Sequence, residues 1–159
     1  MLGDVLSEDM QRVVGAQRLG YVASVCPDGT PNLSPKGTLA VWDVDHLVFA
    51  HLHSPATVAN IESGHVVVEI NVVDPIRRKG YRFKGPATVH RDGPTYEKGL
   101  SFYFDRSGLD PKRIVAIVII EVQRAEAVTS PAYDDGTGED EVEQRSLTMY
   151  GLRRTTQSN

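Results

Sequence analysis

The residues best placed to do chemistry surround Ser54-Pro55-Ala56-Thr57, between a strand-like run (His46 to Ala50) and a short apolar-faced run that stops at Gly64. Ser54 is a good N-cap and Pro55 suits a first helical position, so the sequence predicts a helix that begins here with free backbone N–H groups. Thr57 adds a hydroxyl to the first turn. The positive end of such a helix attracts anions, and phosphate is the usual one. An ordinary capped helix carries the same pattern, so the tetrapeptide does not decide alone.

A second group is Ser34-Pro35-Lys36-Gly37-Thr38, inside a predicted strand that Pro35 and Gly37 both distort. Gly37 lets a planar ligand approach the backbone, and Lys36 offers a cation to a phosphate or an electron-rich ring. The plain alternative is a bulged edge strand with a solvated lysine. A third group places five cations, Arg77, Arg78, Lys79, Arg82 and Lys84, within eight residues. Arg82 and Lys84 share one strand face and could meet an anion together, whereas Arg77 and Arg78 also read as a solvated basic turn. His51 and His53 lie two apart, but they have no Cys partner and no HExxH, so no metal site is expected. His51 is better placed to hydrogen-bond something lying across the end of its strand. The chain has no G-x-S-x-G, no G-x-G-x-x-G and no P-loop, which removes a catalytic elbow and the Rossmann and Walker modes of phosphate binding.

The elements that must position these residues are mostly strands. Leu6 to Leu19 reads as an amphipathic helix capped by Ser7, with Met10, Val13, Val14 and Gln17 along one side. Tyr21 to Cys26 and Asn32 to Trp42 read as a hairpin turning at Pro27-Asp28-Gly29-Thr30. His46 to Ala50 is a third strand, and the capped helix from Ser54 to Ser63 follows it. His65 to Val73 is a fourth, and its consecutive valines predict burial on both faces, with Val67 in the core. Tyr81 to His90 alternates cleanly, Thr95 to Asp105 is a second amphipathic helix, and Ile114 to Val122, with Ile117 at its centre, is the most apolar strand. Ala125 to Val128 extends that strand after a bend. From Asp134 the chain turns acidic and reads as a solvated loop and C-terminal tail over residues 134–159, beyond one domain over residues 1–133.

With 159 residues and a net charge of −4, one domain with its own core is expected, and a long track for nucleic acid is not. The single cysteine, Cys26, leaves no internal disulfide, and no run approaches 18 apolar residues. A cytoplasmic protein away from membranes is the expectation. Six strands with short links and three brief helices predict a mainly β, antiparallel barrel with helices plugging its ends.

In this order and spacing, the residues resemble the pyridoxamine 5'-phosphate oxidase-like FMN-binding split-barrel family. The resemblance covers Leu6 to Tyr133. It is carried by G-Y-V-A-S-V and its D-G turn, P-N-L-S-P-K-G-T, V-F-A-H then S-P-A-T-V-A-N-I, and G-x-x-x-x-G-x-A-x-V from Gly80 to Val89. It implies a six-stranded antiparallel split barrel, a two-fold homodimer and FMN at the subunit interface. It implies cofactor contacts at Lys36, Gly37 and Thr38 on the second strand and at Ala50 and His51 on the third. Ser54 and Thr57 would form the phosphate cradle, approached by Lys79 or Arg82. No histidine follows Arg153 and Arg154, so the resemblance points to an FMN-dependent oxidoreductase on a small molecule rather than to the oxidase reaction itself. A flavin or haem carrier without turnover, and a deazaflavin-dependent reductase, are the alternatives on the same fold.

Overall fold

The computed structural model describes residues 5–53 and 55–155. Helix α1 (Glu8–Gln17) begins where predicted: Ser7 Oγ accepts from the Met10 amide, and Glu8 and Asp9 sit in the positive first turn. It ends at Arg18, which takes the left-handed conformation with φ 56°, so that Gly20 is free to open the first strand. Strands β1 (Gly20–Val25) and β2 (Pro31–Lys36) form the predicted hairpin. Gly29 supplies the positive φ of its turn, and the Asp28 carboxylate accepts from the Thr30 amide and hydroxyl.

The sheet continues through β3 (Ala40–Val41), β4 (His46–His51), β5 (Val67–Asp74), β6 (Lys79–His90), β7 (Ala116–Glu121) and β8 (Arg124–Thr129). Every pairing is antiparallel, in the order β2-β1-β5-β6-β7-β4-β3, and β8 lies beside the first half of β6. The described residues therefore form eight strand segments where six were expected. Proline and glycine interrupt the second expected strand, which survives as β2 and β3 with residues 37–39 between them. The last one bends at Val122-Gln123 into β7 and β8. At that bend the backbones of two strands touch, and a Cβ on Gly85 would stand 1.8 Å from the Glu121 carbonyl oxygen. The two ends of the sheet order, β2 and β3, are joined by only three residues, so the sheet must curl back on itself into a half-barrel.

The interior of the curl holds Val22, Leu47, Phe49, Ile70, Phe83, Val118 and Ile120. Burying Phe49 or Phe83 contributes about 1.5–3 kcal/mol each. Helix α1 closes the barrel with Val14, and helix α2 (Pro55–Glu62) with Val58 and Ile61. Helix α3 (Gly93–Ser107) lies outside, where Tyr103 packs with Ala40, Val48 and Ile117. Gly99 allows that approach, because a Cβ there would fall 2.4 Å from the Ile117 side chain.

Two expectations are corrected. β5 is central in the pairing order, yet only Val68, Ile70 and Val72 face the core, while Val67 is 52% exposed on the outer face. The acidic segment is not simply a loop: Glu139–Tyr150 is a helix, α4, with Val142, Ser146 and Leu147 buried along one side. Its acidic first turn suits the positive helix end, and Gly151 in the left-handed conformation stops it. Among the described residues no helix is long and apolar enough to cross a membrane.

Candidate functional site

β2 alternates, and its inward row is polar: Asn32, Ser34 and Lys36. As an edge strand β2 leaves one side of this row unpaired. Lys36 ends the row at 6% exposure, donating from Nζ to Ser34 Oγ at 2.9 Å and lying 5.4 Å from the Phe49 ring centroid. It makes no ion pair among the described residues. Burial pushes its pKa down from the usual lysine value.

Thr38 ties this end of β2 to β4. Its hydroxyl donates to the Ala50 carbonyl and accepts from the Ala50 amide, both at 3.0 Å, and its own carbonyl accepts from the Tyr103 hydroxyl at 2.9 Å. Burial pushes the Tyr103 phenol well up, so it stays a neutral donor. Between Lys36 and Thr38, a Cβ on Gly37 would meet nothing within 4 Å, which leaves the backbone there open to a flat ligand. Next to Ala50, His51 is 7% exposed, and its Nδ1 is buried without a hydrogen-bond partner among the described residues. Burial first, then the Lys36 and Arg91 cations, lower the His51 pKa, so the ring is neutral at pH 7. Arg91 is held by Glu62 of α2 through Nε–Oε1 at 2.9 Å and a second contact at 3.2 Å. Lys36, Gly37, Thr38, Ala50 and His51 thus converge where the curled sheet is split.

The other predicted residues lie elsewhere. Ser54 is outside the described residues. Thr57 is 0% exposed, and its hydroxyl accepts from Asn32 Nδ2 at 3.4 Å. It belongs to an inner polar cluster in which Asn32 and Asn60 both donate to Ser24 Oγ, at 3.1 and 3.0 Å, and Asn60 also reaches Cys26 Sγ at 3.6 Å. In the single chain this hydroxyl is therefore turned into the barrel. Lys79 pairs with Glu139 of α4. Arg82 pairs with Glu126 of β8 and, at 3.4 Å, with Glu69 of β5. The register runs Arg82 to Asn71 to Tyr21 to Pro35, three strand steps or roughly 14 Å from β2, and Arg82 is on the outer face. Within one chain neither cation stands beside Lys36.

The sequence reading named Ser34 and Asn32 within motifs but gave them no contact, and it gave none to Ser24 and Asn60. The period-2 alternation of β2 could have found the first two, since residues 32, 34 and 36 must share a face. Among the described residues no group of His, Cys, Asp and Glu is arranged to hold a metal ion.

Half-barrel, plugging helices and a buried cation at the split define a protein of the split β-barrel class. The profile of pyridoxamine 5'-phosphate oxidase matches residues 6–134, and the chain belongs to that family. HupZ from Group A Streptococcus is 31% identical over 78% of this chain and 94% of its own, with a TM-score of 0.69. An F420 reductase is 24% identical (76% and 98% covered, TM-score 0.59), and an FMN-binding protein from Syntrophomonas wolfei is 13% identical (79% and 87% covered, TM-score 0.63). At those two identities the likeness is one of fold. No protein of curated function matches the chain.

Proposed function

We propose that the chain is an FMN-binding flavoprotein that works as a homodimer and as an oxidoreductase on a small molecule. The observation that carries this reading is Lys36: a lysine 6% exposed, its ammonium with one hydroxyl and a ring face for company and no carboxylate among the described residues. A buried cation left so poorly matched costs several kcal/mol unless an anion completes it. FMN offers such groups in its phosphate and in its ring when reduced. The residues fit the cofactor at Lys36, Gly37, Thr38, Ala50 and His51. The Thr57 hydroxyl accepts from Asn32 inside the barrel and stands apart from this group.

When bound, the flavin ring supplies the redox chemistry. The chain's own part is to hold and orient it. Lys36 provides the charge, Gly37 keeps the backbone clear, and the Thr38–Ala50 bridge fixes the spacing of the two strand ends. The outer face of β2, β1 and β5 supports the dimer: Leu33 (66% exposed), Tyr21, Val25 and Val67 line it with Pro31 and Pro35. An exposed apolar face of this kind calls for a cover, and a second copy supplies one.

The test is simple. Protein purified without added cofactor should absorb as a flavoprotein, or gain thermal stability when FMN is added. A colourless protein whose Tm does not move with excess FMN would rule the reading out. One second reading has support, because the F420 reductase shows that this fold serves a deazaflavin enzyme. A larger Tm gain with F420 than with FMN would select it.

A further inference from the structure

We propose that Lys36 and His51 form a two-point anion receptor in which His51 takes up a proton as an anionic group settles against Lys36. This rests on the reading that the split receives a flavin, and it adds a coupling between proton and ligand.

His51 Nδ1 is the unusual atom. It is buried, it lacks a partner among the described residues, and it belongs to a side chain more than nine-tenths enclosed. A neutral imidazole leaves one ring nitrogen as an acceptor, whereas a protonated one needs acceptors at both. The described residues offer Nδ1 none. Four charged or titratable groups bear on the ring: Lys36 at the end of β2, Arg91 just after β6, Glu62 on α2, and His53 just beyond β4. Glu62 is the one negative group, and Arg91 already engages both its oxygens. Burial does most to keep the proton off, and the positive local balance adds to it.

An anion reverses both terms at once. Its oxygen gives a protonated Nδ1 an acceptor, and its charge offsets Lys36. Binding and protonation then favour one another by the same factor in each direction. Affinity for the anion rises as pH falls between the titration points of the free and the occupied imidazole, by at most about tenfold per pH unit for one proton. Below both points the dependence disappears.

The experiment follows His51 directly. Imidazole resonances, assigned with a His51→Gln variant, are titrated in the whole protein alone, with FMN, with riboflavin, and with inorganic phosphate. A Lys36→Met variant is titrated without ligand. The inference predicts that the His51 titration moves upward by a unit or more with FMN, and upward also in Lys36→Met. A rise with FMN and phosphate but not riboflavin makes the phosphate the anion. A rise with riboflavin only after its reduction makes the ring the anion. If FMN binds and His51 does not move, and Lys36→Met leaves it where it was, the inference is overturned while the flavin reading stands. If FMN does not bind at all, the flavin reading fails, and phosphate together with Lys36→Met still decides the receptor. Melting curves of both variants check that a shift is not a loss of fold.

Discussion

A lysine enclosed by Ser34 and Phe49, with one hydrogen bond and no carboxylate among the described residues, recovers little of the cost of burying its charge. Replacing it by methionine keeps the volume and removes a desolvated charge, so Lys36→Met should melt at or above the wild-type temperature in calorimetry. A marked fall would show that the ammonium is structural. His51 has the opposite sign from a salt-bridged histidine. Its folded pKa is lowered, so between that value and the ordinary histidine value the unfolded chain binds more protons. Stability should therefore fall as pH drops below the ordinary histidine range, and urea titrations should show part of that slope vanish in His51→Gln. Lys36, Gly37, Thr38, Ala50 and His51 are marked in the sequence by proline, glycine and strand ends, and the structure brings them together. The inward turn of Thr57 is not marked there: α2 must bury Val58 and Ile61, and Thr57, four residues before Ile61, turns inward with them. The pairing of the cations at 79 and 82 was hidden for another reason. Their carboxylate partners, Glu139 and Glu126, are 60 and 44 residues away along the chain.

The element scale tests the alternation of β5. Val68 is 1% exposed, and Val68→Asp should leave no cooperative unfolding transition, because a buried unpaired charge costs several kcal/mol. Val67→Asp, one residue earlier and facing out, should keep the monomer fold intact in circular dichroism. Three successive valines gave no phase, so which of them faces the core emerged only from the pairing with β1 and β6. The hidden helix is explained similarly. Val142, Ser146 and Leu147 lie at helical spacing, but carboxylates between and before them dominate the composition. Arg77 holds α4 to the β5–β6 turn through Asp74 (3.0 Å), Glu139 (3.2 Å) and Glu143 (3.4 Å). These pairs are partly exposed, so Arg77→Ala should cost roughly 1 kcal/mol or less in global stability. Limited proteolysis should nonetheless cut within 139–150 faster, since the loss is concentrated at one helix.

At the scale of the whole molecule the positions of the strands along the chain were largely readable, because glycine, proline or a charged turn bounds them; their order in the sheet was not. Nor was the closure, since it depends on residues 37–39 joining the two ends of the sheet. Exposed Leu33, Tyr21, Val25 and Val67 on the outer face, beside the Glu69 ion pairs, and a buried cation without a carboxylate among the described residues are the features that a partner copy and an anion would complete. If the face is the dimer seam, Val67→Asp should sediment as a monomer while the wild type sediments as a dimer. The most direct measurement of the central claim is a fluorescence titration of FMN with wild-type protein and with Lys36→Met. The account predicts saturable quenching by the wild type and affinity weaker by roughly ten- to a hundredfold in the variant, the loss of one charge-assisted contact. Equal affinity in the two proteins, or no quenching by either, would contradict it.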